Sequence, residues 1–166
     1  MIWPSIALLA FVTLQRVVEL PLAQANTKRL LAAGGHEVGA SHYPLIVALH
    51  AAWLITLWWL APGRPIDIPF LLLFLLIEAG RVWVLRTLGP RWTTRIIVVP
   101  GEQLVAAGPY RFVRHPNYLV VIGEVAVLPL VFGLWDIAII FSLLNAAILT
   151  IRIRAENRAL SASLPQ

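Results

Sequence analysis

Apolar residues fall into five runs along the chain: Ile2 to Leu22, Tyr43 to Leu60, Ile68 to Leu85, Tyr118 to Phe132 and Leu134 to Ile151. Each is to be measured against the ~20 helical residues that cross a ~30 Å hydrocarbon core. The first run is interrupted by Gln15, Arg16 and Glu19, and the last two are parted only by Gly133 and the neighbourhood of Asp136, which predicts a tight helical hairpin. No internal repeat, low-complexity tract or linker divides the chain. The expected fold is all-α, a polytopic membrane protein of about five transmembrane helices forming one integral-membrane domain over residues 1–166. Ala23-Gln24-Ala25 fits a small-x-small cleavage pattern, but Met1-Ile2-Trp3-Pro4 lacks the positive stretch that opens a signal peptide, so the first run reads as a span.

Composition supports this reading and narrows the chemistry. Hydrophobic residues make up 60% of the chain and charged residues 13%, against ~45–50% and ~25% in soluble domains; the mean hydropathy is +0.82. With no cysteine, disulfides, thiolate zinc sites, iron–sulfur ligation and cysteine nucleophiles are excluded together. No metal site is expected. Chemistry must come from oxygen and nitrogen groups or from a cofactor.

The net charge of +5 comes from 12 Arg and one Lys against 8 acids. These cations lie between apolar segments rather than along one exposed face, and no stacking platform accompanies them, which argues against nucleic acid as a partner. Lys28 and Arg29 fall between runs one and two. Arg86, Arg91, Arg95, Arg111 and Arg114 fall between three and four, and Arg152, Arg154 and Arg158 follow run five. These ten share one side and Arg64 stands alone on the other, so the positive-inside rule places the N-terminus outside and the C-terminus in the cytoplasm, in a plasma (inner) membrane.

An ionisable side chain at the bilayer centre costs ~2.5–3.5 kcal/mol on insertion scales, so each needs a partner or a use. Arg16 with Glu19, and Glu78 with Arg81, are three residues apart and predict two locally neutralised pairs. Glu124 has no local partner; facing a wet cavity and pairing helices are both open to it. His50 and Asn145 read as interhelical hydrogen-bonders, and Trp53, Trp58 and Trp59 as packing or interface aromatics.

Between runs three and four the chain leaves membrane composition. Gly89-Pro90-Arg91-Trp92-Thr93-Thr94-Arg95 is followed by apolar Ile96 to Val99, Pro100-Gly101-Glu102-Gln103, and Gly108 to Tyr118. A connection of about 30 residues rich in Gly, Pro, Arg and aromatics is too elaborate for a linker. Pro116 suits the first turn of a helix, which puts His115 or Asn117 at the N-terminus of the fourth span. Unpaired amides there favour an anion, with Arg111, Arg114 and His115 as further donors; positive-inside anchoring explains the same arginines equally well. After run five, Arg152 and Glu156 are four residues apart on one helical face that returns toward His115. The residues alone thus predict an anionic-ligand pocket at the membrane surface.

The set Leu104-Val105, Gly108-Pro109-Tyr110, Arg114-His115-Pro116-x-Tyr118, a helical hairpin and Arg152-x-x-x-Glu156 resembles the isoprenylcysteine carboxyl methyltransferase family of integral-membrane enzymes over roughly residues 85 to 160. The resemblance implies S-adenosyl-L-methionine as methyl donor in a cytoplasmic pocket. It implies cofactor contacts from Gln103, Leu104, Gly108, Tyr110, Arg114, His115, Pro116 and Tyr118, and catalytic roles for Arg152 and Glu156. Trp92, Glu124 and Asn145 are the candidates for binding the acceptor. The chain departs from the eukaryotic pattern at Glu102 and Asn157, while Trp92 to Arg95 and Arg114 to Tyr118 look more like bacterial members that methylate lipophilic polyketides such as alkylpyrones and alkylresorcinols. The expected partners are a lipophilic small molecule or prenylated substrate entering laterally, together with membrane lipid and no obligate protein. An NADPH-dependent membrane reductase, which the C-terminal helices also resemble, and a non-catalytic scaffold are the alternatives; no glycine-rich dinucleotide fingerprint is present.

Overall fold

Proline lies in the first turn of four helices, and an aspartate caps one of them. The computed structural model describes residues 2–163, with side chains as far as Ser161. Five helices appear: α1 (Trp3–Ala32), α2 (Tyr43–Leu60), α3 (Ile68–Leu88), α4 (Pro116–Val131) and α5 (Trp135–Ser163). Pro4, Pro44, Pro69 and Pro116 lie in first turns, where a missing N–H costs no hydrogen bond. Asp67 caps α3 by accepting from the Phe70 amide at 3.2 Å. Among the described residues four helices are long and apolar enough to cross a membrane, and α4, at 16 residues, is the shorter partner of a hairpin. The chain is an all-α integral-membrane protein.

The α4–α5 hairpin turns at Gly133, whose φ is 66°, with the Gly133 and Leu134 amides donating to Leu130 and Pro129. The α2–α3 turn is tied to it by Asp67 N–H donating to the Val131 carbonyl at 2.8 Å, and to the start of α1 by Gly63 N–H donating to Ser5 Oγ. At this end the helices pack closely around buried Leu9, Trp53, Leu57, Phe74, Leu128 and Phe132. Gly123 lets α4 approach α3: a Cβ there would stand 3.0 Å from the Ile77 side chain. Toward the opposite end the apolar core thins to Ala23, Val84, Trp92 and Val120.

Two features differ from expectation. The apolar Ile96 to Val99 run is largely a strand, β2 (Ile96–Val98), paired antiparallel with β1 (His36–Val38), a segment for which the sequence showed no apolar run. Helices α1 and α5 also run some ten residues beyond their apolar runs, because Lys28, Arg29 and the Arg152–Arg158 cluster are good helix formers at a polar end.

The charged residues inside the spans make their shortest pairs between helices. Arg81 Nε donates to Glu19 Oε1 at 2.7 Å and Arg81 Nη1 to Glu124 Oε1 at 2.9 Å. Arg16 Nη2 meets Glu124 Oε2 at 2.5 Å, whereas its local contact to Glu19 is 3.8 Å. Glu78 accepts from Gln15 Nε2 at 2.8 Å. Of the two expected i,i+3 pairs, Arg16–Glu19 forms as the 3.8 Å contact and Glu78–Arg81 does not pair; the shorter ion pairs join helices, with the carboxylates of α1 and α4 clamping arginines across the bundle. His50 likewise bonds its own helix, through Nδ1 to the Ile46 carbonyl at 2.8 Å, and Asn145 Oδ1 is buried with no partner.

Candidate active site at the loop end of the helices

The connections fold over the end where α1 stops and α4 begins. Asn26 of α1 donates to the Trp92 carbonyl at 2.8 Å, and Arg91 donates to the Gln103 carbonyl at 2.9 Å. Arg95 reaches Glu37 at 2.7 Å and stacks over the Tyr43 ring at 4.2 Å. Tyr43 Oη lies 3.0 Å from Thr94 Oγ1, and Arg152 Nη2 donates to the Thr94 carbonyl at 3.0 Å. Thr94 and Arg95 thus stitch the loop to α2 and α5. Gly108 adopts φ 54°, and a Cβ there would run into the Thr87 side chain, so the turn holding Tyr110 presses directly on α3.

The first turn of α4 then locks onto α5. His115 stands at the N-cap without capping an amide, with Pro116 at the first helical position. His115 Nε2 donates to Asn157 Oδ1 at 3.0 Å, its Nδ1 lies 3.6 Å from Glu156 Oε2, and the Tyr118 hydroxyl donates to the same Glu156 oxygen at 2.7 Å. Positions 115 and 118 share one helical face, as 152 and 156 do, which is why two short segments meet in one cluster. Arg152 and Glu156 are not an ion pair within 4 Å: each engages a different element. Burial, with the Glu156 carboxylate adding to it, raises the Tyr110 phenol above its ordinary range and keeps it a neutral donor.

Beneath these groups lies a cavity of about 730 Å³, within the range of small-molecule sites. It brings together Trp92, Gln103, Leu104, Tyr110, Arg114, His115, Tyr118, Arg152 and Glu156, nine of the residues singled out above. Trp92 Nε1 is a buried donor with no partner. Gly108 and Pro116 are absent from the walls and act through the backbone. Glu124 and Asn145 are also absent from the walls, each 1% exposed. Their assignment to the acceptor site is corrected, because Glu124 is consumed by two arginines and Asn145 is packed inside. The walls include four residues that the sequence did not single out for the site: Tyr43, Thr94, His50 and Asn157. Asn157 adjoins Glu156 and could have been read from the same helical cluster. Thr94 lies within the Trp92 to Arg95 stretch already noted, and for Tyr43 and His50 no local signal pointed to the site. From the loops the cavity descends along the α2 residues Val47, Ala51 and Leu54 to Arg16, Glu19 and Arg81.

Residues 70–162 match the isoprenylcysteine carboxyl methyltransferase family. The chain belongs to that family. Membership makes it a membrane methyltransferase in general class, and the matched region contains the His115–Glu156 cluster. Among relatives, an uncharacterised Bacillus subtilis protein, YpbQ, is 37% identical over 92% of this chain and 94% of its own length. An uncharacterised Haemophilus influenzae protein is 24% identical over 91% of each chain. No solved structure matches.

Proposed function

We propose that this membrane methyltransferase uses S-adenosyl-L-methionine to O-methylate a membrane-soluble lipophilic acceptor, either an isoprenylcysteine-type carboxylate or an alkylpyrone or alkylresorcinol hydroxyl. The observation that carries the reading is one continuous cavity. Its loop end gathers His115, Arg114, Tyr110 and Glu156, and within the span it is walled by the apolar α2 side chains Val47, Ala51 and Leu54. Such a space suits a polar donor from the aqueous side and an apolar acceptor from the bilayer.

The chain's residues fit that donor. Arg114 forms no ion pair among those found in the described residues, and with the N-terminus of α4 it would hold an amino-acid carboxylate. When bound, the cofactor supplies an electrophilic methyl group on a sulfonium. The protein's part is to hold an acceptor oxygen in line and exclude water, which can account for much of a methyl transfer's acceleration. Glu156, fixed by Tyr118 and set against His115, is placed to take the proton of a phenol or enol; a carboxylate acceptor needs no base. Arg152, anchored by the Thr94 carbonyl, orients the acceptor's oxygen with its remaining donors. The loop end is read as cytoplasmic, because ten of the cations gather there, in a plasma (inner) membrane.

The test is calorimetric titration of the detergent-purified protein with S-adenosylhomocysteine beside NADPH. Saturable binding of the homocysteine compound alone, abolished by His115→Ala, is expected. Binding of NADPH alone would move the chain to the reductases, and binding of neither would leave a scaffold.

A further inference from the structure

Arg111 and Phe112 belong to the segment that leads into His115, yet neither lines the cavity. The sequence places Arg111 among the donors for an anion at the start of α4; in the structure its side chain is exposed, with the guanidinium 6.0 Å from the centroid of the Phe112 ring. Phe112 is itself 75% exposed, which water penalises and a bilayer does not.

The height of this pair in the membrane follows from α3. From Asp67 at its start to Arg86 is 19 residues, about 28 Å of helix, close to the ~30 Å of a hydrocarbon core. Trp83 therefore sits at the loop-end edge of the hydrocarbon and Arg86 among the headgroups. Trp83 is 49% exposed, and its ring meets that of Phe112 with 6.4 Å between centroids, so Phe112 shares its level. Helix α4 supplies the reason: its 16 residues rise only about 24 Å, and Phe112 and Val113, just before it, fill the missing depth. Along α3, Leu72, Leu76, Ala79, Trp83 and Arg86 follow at intervals of three and four, so they share one face, and each is exposed. An apolar stripe on the lipid side thus ends in an aromatic pair flanked by two cations. Neither Arg86 nor Arg111 forms an ion pair among those found in the described residues.

We infer that this outer corner of the bundle is a binding site for an anionic phospholipid, its headgroup held by Arg86 and Arg111 and one acyl chain lying past Trp83 and Phe112 along the α3 stripe. Charge complementarity selects this lipid: a zwitterionic headgroup brings a cation of its own to the same two arginines. A free phosphate has nothing to set against the aromatic pair and the stripe. None of these side chains lines the cavity, so the site stands apart from the methyl donor and acceptor.

The test is native mass spectrometry of the full chain in detergent micelles carrying equal phosphatidylglycerol and phosphatidylcholine. Wild type is compared with Arg86→Gln, Arg111→Gln, the double variant, and an Arg154→Gln/Arg158→Gln control that removes the same charge from exposed positions of α5. One cation near an anionic membrane surface corresponds to about fivefold in affinity. The wild type is expected to retain phosphatidylglycerol preferentially, each single variant to lose about fivefold of that preference and the double variant about 25-fold, with the control within twofold of wild type. Phe112→Ser is expected to weaken retention of both lipids, and millimolar inorganic phosphate to displace neither. No preference in the wild type, an unchanged preference in the double variant, an equal loss in the control, or displacement by inorganic phosphate would overturn the site. Thermal melts of the arginine variants should match wild type, and a lowered melt would contradict the exposed, unpaired placement on which the site rests.

Discussion

Glu124→Gln separates a structural carboxylate from a site residue. Glu124 is 1% exposed and accepts from Arg16 at 2.5 Å and from Arg81 at 2.9 and 3.1 Å. A neutral amide keeps one acceptor oxygen but leaves two arginines facing Glu19 alone within bonding distance. Hydrogen bonds to charged groups contribute ~1.5–3 kcal/mol each, and breaking a buried pair by removing one partner costs ~3–5 kcal/mol. The two routes agree on about 3–5 kcal/mol. For a chain of this size that corresponds to a fall of roughly 6–20 °C in Tm. Thermal unfolding in detergent measures it, with S-adenosylhomocysteine affinity determined below the transition. The expected result is a large loss of stability with cofactor affinity within twofold of wild type. Removing both charges, Arg16→Met with Glu124→Met, should recover part of the loss, because well-packed apolar replacements of buried pairs are often tolerated. A Tm within 2 °C of wild type for Glu124→Gln, or a loss of cofactor binding without a loss of stability, would refute the clamp.

Glu156→Gln should lower turnover more than cofactor affinity, while His115→Ala should do the reverse through loss of its contact with Asn157; steady-state kinetics beside calorimetry distinguishes them. Gly108→Ala should cost about 1–3 kcal/mol, since the new methyl meets Thr87 at a positive φ, and Thr87→Ala should restore only the steric part in a thermal melt. Tyr110, with its phenol raised by burial and by Glu156, contributes stability that is fully present below the unfolded phenol value of about 10 and is lost as pH rises beyond it. Melts from pH 8 to 11 should therefore fall less steeply above pH 10 for Tyr110→Phe, and identical slopes would remove Tyr110 from the buried cluster.

The helices were legible in the sequence because apolar runs long enough to cross a bilayer report directly on their solvent. The Pro116 start of α4 was legible because proline at the first helical turn has a local cause. The loop end of the site was legible for the same kind of reason: His115 and Tyr118, and Arg152 and Glu156, are spaced at helical intervals, so one contact between two segments completes the cluster. The β1–β2 ribbon was not, since three-residue strands carry almost no periodicity and His36–Val38 resembles a turn until Ile96–Val98 is laid beside it.

The buried charges of the spans were misread for a deeper reason. Sequence spacing offered Glu19 to Arg16 and Glu78 to Arg81; the first forms only as a 3.8 Å contact, and the shorter pairs join residues 62, 43 and 108 positions apart. A carboxylate buried in a span takes whichever cation can shed water with it most completely, and that choice is made by packing between helices. Glu124, the residue with no local partner, was therefore the one most committed to distant ones. His50 moved the other way: expected to join helices, it spends Nδ1 on its own backbone and leaves Nε2 available.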